Sequence, residues 1–284
     1  RQRQMCIRDS LMPKARPLFG DRKLLIGMVH IGALPGSPGS RLGVAELARL
    51  AAAEARILAR AGFDALIVEN MHDRPYVHQQ HGPETVAAMT VVAQAVREAV
   101  GELPVGVQVL SGGNREALAI AQAAGLQFIR CENFVFAHVA DEGLLATAEA
   151  GPLLRYRRQI GAERVLILCD IKKKHASHAL TADIPIADAA AGAEFFGADG
   201  LIVTGTATGR PTRPEDLAEA RQGSKLPLLV GSGVVPESIP ELLEHADALI
   251  VGSWLKRGGL WSNPVDPRRA AALAKVFRTV ARKG

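Results

Sequence analysis

A chain of 284 residues, 48% of them hydrophobic and 28 of them glycine, is long enough for one large core and suits a single α/β barrel better than two ordinary domains. The formal charge of +5 is a weak basic balance that fits small anionic molecules, while aromatic residues at 4% leave little material for base stacking, so nucleic acid is not an expected partner. Three cysteines, Cys6, Cys131 and Cys169, lack CxxC spacing and disulfide density, and no stretch reaches the roughly 18 to 20 apolar residues of a membrane span; the expectation is a protein of the reducing cytoplasm with no transmembrane segment.

The start RQRQMCIRDS lacks the apolar core of a secretory signal. QMCIRDS back-translates to a transposase end used in sequencing libraries, so residues 1 to about 10 read as sequencing read-through. Residues 1–21 are taken as a disordered or non-native N-terminal extension, and 22–284 as a single barrel domain.

From there, strand-like runs alternate with helical patterns. KLLIGMVH (23–30) precedes a helix over 44–61, and DALIVEN (64–70) a helix over 83–100. PVGVQVL (104–110) precedes 114–124, QFIRCEN (127–133) precedes 152–160, and RVLILCD (164–170) precedes 183–197. DGLIVTG (199–205), PLLVGSG (227–233) and DALIVGS (247–253) lead into helices over 214–221, 237–245 and 267–282. Strands this uniformly apolar are buried on both faces, as parallel sheets require. Eight β-α units with right-handed crossovers predict a TIM (β/α)8 barrel. An open doubly wound sheet is the structural rival, but the glycines of HIGALPGSPGS do not have GxGxxG spacing.

One phrase occurs three times, as DALIVEN, DGLIVTG and DALIVGS. Its apolar body builds the core, and its differing polar endings fall where barrel enzymes keep their chemistry, at the C-terminal mouth. The strand ends supply His30, Glu69, Asn70, Gln108, Arg130, Glu132, Asn133 and Asp170, followed by Lys172 to Lys174 and His175, then Thr204, Gly205, Thr206, Gly231, Ser232, Gly233, Gly252 and Ser253. Charged groups beside buried strands are costly unless paired, so their collection at one end needs a reason.

GSG (231–233) and GS (252–253), after the seventh and eighth strands, let backbone N–H groups approach a phosphate, although glycine also simply serves tight turns. A phosphorylated sugar, nucleotide or related metabolite is the expected partner. In CDIKKKH (169–175) an extended backbone points Asp170 and Lys172 the same way, a carboxylate and an ammonium suited to moving a proton; a solvated basic loop is the bland alternative. Arg130 and Glu132 share a strand face, either as ligand contacts or as a buried ion pair. Glu69 is the leading general-base or metal-ligand candidate, and His30 is either a proton carrier or a packed residue. MHDRPYVHQQHG (71–82), with His72, Asp73, His78 and His81, lacks HExxH-like zinc spacing and reads as a flap over the mouth; LPGSPGS (34–40) is a second flap or a stiff linker. No metal is expected, no cofactor is assigned, and no GxSxG elbow or Walker loop is present. Cys131 and Cys169 read as core fillers.

MVHIGALPGSPGS, VEN, PETVAAM, ALAIAQAAG with FIRCEN, LLRYRRQIGAERVLILCDIKKKHA, LIVTGTATGRPT, LLVGSGVVPESI and VGSWLKRGGLWSNPVDPRR together resemble the BtpA/SgcQ family over residues 22 to 282. The resemblance implies a phosphate-binding barrel. It also implies one of two roles: an enzyme labelled elsewhere in the family as a candidate nucleosidase, with lyase or isomerase chemistry equally compatible, or a non-catalytic factor of photosystem I biogenesis. By position it carries functional weight to His30, Glu69, Asn70, Glu84, Arg130, Asp170, Lys172, Lys174, His175, Thr204, Gly205, Gly231, Ser232, Gly233, Gly252, Ser253 and Lys256. The chain departs from the family pattern at QVLSGGN (108–114), which stands where an NVLRND-like ending is usual, and FVFAHVADEG (134–143) resembles the fourth loop only loosely. Terminal barrel helices often support self-association, so a homo-oligomer is a further expectation.

Overall fold

A computed structural model of the protein describes residues 18–79, 81–173, 175–205 and 212–282; Lys174 and Thr206 lie outside them. Eight parallel strands close into a barrel: β1 (Leu24–His30), β2 (Ala65–Glu69), β3 (Val105–Gln108), β4 (Phe128–Cys131), β7 (Leu166–Ile171), β9 (Gly200–Val203), β10 (Leu228–Val230) and β11 (Ala248–Val251). Their order around the ring is β1-β11-β10-β9-β7-β4-β3-β2. The crossover helices are α1 (Val44–Ala61), α2 (Pro83–Val100), α3 (Asn114–Ala124), α4 (Ala150–Gln159), α5 (Ile186–Phe195), α6 (Pro214–Gly223), α7 (Ile239–His245) and α8 (Pro267–Ala281). The expected TIM barrel is therefore present.

Two apolar clusters divide the strand residues by parity. Leu24, Ile26, Met28, Ala65, Ile67, Phe128, Leu166, Leu168, Ile202, Leu229, Ala248 and Ile250 fill the barrel interior. The intervening residues, such as Leu25, Val29, Leu66, Val68, Cys131 and Cys169, pack outward against the helices. Each helix presents a matching stripe: α1 buries Leu47, Ala48, Ala51, Ala52, Ala55 and Leu58 and stops at left-handed Gly62. Inside the barrel, glycine makes room for the large fillers. A Cβ on Gly106 would stand 2.3 Å from the ring of Phe128.

The aspartate that opens each copy of the repeated phrase has its own task at the N-terminal end of the barrel. Asp64 Oδ2 accepts the Leu25 N–H at 2.9 Å, Asp199 Oδ2 the Ile167 N–H at 2.9 Å, and Asp247 Oδ2 the Leu228 N–H at 2.9 Å. Each carboxylate thus satisfies a backbone donor near the start of the neighbouring strand and fixes register there. Gln127 does the same for Val105 at 2.8 Å. Arginines complete the three: Arg22 at 3.0 Å from Asp64, Arg157 at 2.7 Å from Asp199 and Arg221 at 2.6 Å from Asp247.

A second sheet was not anticipated. β5 (His138–Ala140), β6 (Gly143–Leu145) and β8 (Ala176–Ser177) form an antiparallel cap from the loops that follow β4 and β7. Strands of two or three residues are too short to show a period of two. Predicted helix ends also shift: the fifth helix spans 186–195 rather than 183–197, entered after Pro185 and followed by left-handed Gly197.

The Asp199–Arg157 pair is enclosed, whereas Arg22 beside Asp64 is exposed. Burial pushes the Asp199 carboxyl above its usual range despite Arg157 and the Ile167 N–H pulling the other way. Asp199→Ala, which strands Arg157, should therefore cost about 3 kcal/mol in chemical denaturation and Asp64→Ala about 1 kcal/mol. Equal losses would mean that Arg157 rearranges to find another partner.

Candidate functional site

The inward parity that carries the apolar column continues to the C-terminal mouth, where it turns polar. His30, Glu69, Gln108, Arg130, Asp170, Gly231 and Gly252 all line one cavity of about 460 Å³. Register aligns them in a layer, with His30 opposite Glu69 and Glu69 opposite Gln108. Glu132, Lys173, His175, Ser232, Gly233 and Ser253 complete the predicted part of the wall.

The charges are paired across strands. Arg130 donates from Nε to Asp170 Oδ2 and from Nη2 to Asp170 Oδ1, both at 2.9 Å. Burial alone would pull the guanidinium down; Asp170, with Glu69 and Glu132 nearby, more than offsets it and raises the Arg130 pKa. Lys173 Nζ donates to Glu132 Oε1 at 3.1 Å, and the Gly112 N–H to Glu132 Oε2 at 2.9 Å. Burial pushes the Glu132 carboxyl up, but Lys173 and Gly112 outweigh it, so it sits below its usual range, and Lys173 correspondingly sits above its own. The sequence offered Arg130 and Glu132 as ligand contacts or as members of a buried ion pair; each is held in a buried pair with a residue of β7 or its following loop. Glu132 follows the last residue of β4, where the Asn114 side chain clasps its backbone, accepting its N–H at 3.1 Å and donating to its carbonyl at 2.8 Å.

His30 Nδ1 lies 3.2 Å from the Trp261 carbonyl, and Nε2 lies 3.4 Å from Glu69 Oε2. The carbonyl can only accept, so Nδ1 carries a hydrogen when it bonds there, and Nε2 is the nitrogen that faces Glu69.

Several expected residues lie elsewhere, Glu84, Asn133 and Lys256 among them. Lys172 adopts a left-handed conformation with φ 47°, which breaks the extended alternation; its Nζ donates to the Thr181 carbonyl at 3.3 Å, and Lys173 enters the mouth in its place. Asn70 has the outward parity and bridges loops, accepting the Leu110 N–H at 2.7 Å and donating to Asp73 at 3.0 Å. Thr204 is buried beside Gly231, where a Cβ would stand 2.8 Å from its methyl group, and the Gly205 N–H donates to Ser232 Oγ at 3.1 Å. Both stop short of the cavity wall. Gly231 also answers to packing, since a Cβ there would approach Arg130 Nη2 to 3.1 Å.

The rest of the wall was not selected from the sequence. Met71, Arg74 and Tyr76 come from the 71–82 loop, Asp141 and Glu142 from the β5–β6 turn, and Trp254 and Trp261 from the segment after β11. Arg74 stacks over Trp261 at 4.7 Å, and His72 lies 5.0 Å from the same ring. A usable signal existed: both tryptophans of the chain fall within eight residues of one another, directly after the eighth strand. The 34–40 segment does not reach the cavity, but the Leu34 N–H donates to Asp73 at 2.6 Å and ties it to the longer loop.

These motifs and this barrel agree with a family model. Residues 21–279 match the model described as BtpA family. The chain belongs to the BtpA family. An uncharacterized mitochondrial protein of Caenorhabditis elegans is 41% identical over 93% of this chain and 96% of its own length. The photosystem I biogenesis protein BtpA of Synechocystis is 37% identical over 91% of this chain and 89% of its own. Among solved structures, (S)-3-O-geranylgeranylglyceryl phosphate synthase from Thermoplasma acidophilum, in complex with sn-glycerol-1-phosphate, superposes with a TM-score of 0.56 at 16% identity, covering 92% of this chain and 94% of that one. At that identity the likeness is one of fold. No helix among the described residues is long and apolar enough to cross a membrane.

Behind Glu132, Asn114 Nδ2 also donates to Glu149 at 2.9 Å. Burial pushes the Glu149 carboxyl up to about 7, with Asn114 pulling the other way. A carboxyl raised on folding stabilises the protein at low pH, and that contribution is lost as pH rises from its ordinary value of 4.5 through about 7. Glu149→Gln removes this loss. Its melting temperature relative to the parent should rise steadily between pH 4.5 and pH 8, and a flat difference would contradict the assignment. Taking the difference cancels the opposite trend from His138, whose ring burial pulls down to about 4.

Proposed function

We propose that this BtpA-family chain is an enzyme that binds a phosphorylated sugar or nucleoside-type metabolite at the C-terminal mouth of its barrel. One observation carries the reading: a single cavity joins the glycine loops after β10 and β11 to the buried ionisable layer of β1 to β7. Gly231, Ser232 and Gly233 follow β10, and Gly252 and Ser253 follow the neighbouring β11, so small residues with close backbone approach stand side by side. The Gly231 N–H is spent on the Val203 carbonyl at 2.8 Å, so the N–H groups that suit an anion are those of the residues that follow it and of the turn after β11. The glycerol phosphate bound by the Thermoplasma synthase, on the same fold, is in keeping with this.

In this reading Glu69 and His30 exchange the proton. Arg130, held flat by Asp170, and Lys173, held by Glu132, present fixed positive charge to an anionic or enolate-like centre. Asp170 engages Arg130 through both oxygens, which suits it to positioning and charge balance. Lys172 has no such place, and His175 stands at the cavity edge as a further proton carrier. Cleavage at an anomeric carbon, isomerisation and aldol-type lysis all use such a set; the fold does not choose among them.

A non-catalytic assembly role is the second reading. The name of the Synechocystis relative and the exposed Phe195–Phe196 pair at the end of α5, with rings 5.4 Å apart, favour it. Thermal melts with inorganic phosphate, pentose and hexose phosphates, and nucleotides separate the two. A phosphate compound at saturation should raise the melting temperature by several degrees. Ser232→Asp, or Ser253→Asp should the first variant fold poorly, should abolish the rise by placing a carboxylate in the anion site. If no phosphate compound stabilises the parent, the enzyme reading falls and the assembly role takes its place.

A further inference from the structure

Gln108 ends β3 and lines the cavity, and it is 2% exposed. Its Nε2 donates to Glu132 Oε1 at 3.5 Å, whereas its Oε1 is buried with no hydrogen-bond partner among the described residues. Flipping the amide does not remove the vacancy, because an amide oxygen facing the Glu132 carboxylate would set acceptor against acceptor. A buried carbonyl-type oxygen left unpaired costs about 1 to 3 kcal/mol, a cost that a ligand donor removes by drawing the amide oxygen round to the cavity.

The surroundings specify what that donor belongs to. Gln108 stands beside Glu69 in register and contacts Glu132, so its side of the mouth is rich in acceptors. Glu142, from the tip of the cap hairpin, adds a further carboxylate to the wall. Of the cations on the wall, Arg130 and Lys173 are already engaged by Asp170 and Glu132, and Arg74, from the loop after β2, stacks on Trp261. In the ring order, β3 lies four strands from β10, directly across the barrel from the glycine loop. A molecule spanning the mouth would meet N–H donors at one end and oxygen acceptors at the other. Hydroxyl groups answer this, because each can donate to an amide oxygen or a carboxylate without adding charge to the site.

We propose that Gln108 Oε1 accepts a hydrogen bond from a hydroxyl group of the ligand, so that the site takes a polyhydroxylated phosphate ester, with its sugar hydroxyls on the β2–β4 side and its phosphate at the loops after β10 and β11. This rests on the phosphate reading above and adds to it the residue that reads the sugar.

Gln108→Leu keeps the side-chain volume close and removes the orphaned acceptor. Binding of inorganic phosphate and of ribose 5-phosphate, ribulose 5-phosphate and glucose 6-phosphate is measured by calorimetry on parent and variant, with melting curves of both unliganded proteins. At least one sugar phosphate should bind the parent more tightly than inorganic phosphate does. The variant should lose about tenfold to a hundredfold of that sugar phosphate's affinity while holding inorganic phosphate unchanged. The unliganded variant should melt no lower than the parent, since it gives up an unsatisfied buried atom. Three results overturn the proposal while leaving phosphate binding intact: no sugar phosphate preferred over inorganic phosphate, a preference untouched by the substitution, or a clear loss of stability that marks Gln108 as structural. Failure of every phosphate compound to bind the parent overturns both readings.

Discussion

The pleat of a closed parallel barrel is the constraint on which this molecule is built. Successive side chains of a strand alternate between the interior and the helices, so each strand has only one set of residues that can reach the axis. Through most of the barrel that set is Leu, Ile, Met, Phe and Ala. At the C-terminal ends the same parity delivers His30, Glu69, Gln108, Arg130 and Asp170. The aspartates at the opposite end hold strand starts in register, and a one-residue slip in any strand would exchange its inward and outward sets.

Burial then dictates how the polar layer is arranged. An isolated charge here would be neutralised by its own desolvation, so each buried cation is joined to a carboxylate from a neighbouring strand or its following loop. Arg130 with Asp170 and Lys173 with Glu132 form two such pairs, while Lys256 with Glu54, at 2.7 Å, forms a third outside the mouth, between α1 and the segment after β11. Pairing fixes the side chains without leaving a surplus of positive charge. What faces the cavity is an uneven surface: small residues and backbone on the β10–β11 side, Glu69, Gln108 and Glu132 with the paired Arg130 on the β2–β4 side, and an aromatic rim of Tyr76, Trp254 and Trp261.

The predicted site residues separate by this geometry. His30, Glu69, Arg130 and Asp170 reached the cavity because a strand's parity is readable from its apolar letters. Asn70 carried the opposite parity, which the same letters already implied: Val68 packs outward and Asn70 follows it by two. Lys172 had the inward parity on an extended backbone and lost it through one left-handed residue. The cap sheet, the β5–β6 turn and the return of Trp261 to His30 arise from loops, where no period exists to be read.

The sequence by itself determined the eight β-α units, the single barrel and the family, because burial on both faces writes long apolar runs and the motifs are contiguous. It also determined which strand ends are polar. Only the tertiary structure decided which charges are partners, that Lys173 and not Lys172 enters the mouth, and that one oxygen of Gln108 is left without a donor. Those outcomes depend on contacts between residues 24 to 41 positions apart and on a single backbone angle. Local propensity and hydrophobic period act over a few residues; electrostatic pairing and hydrogen-bond satisfaction are settled only when the strands meet.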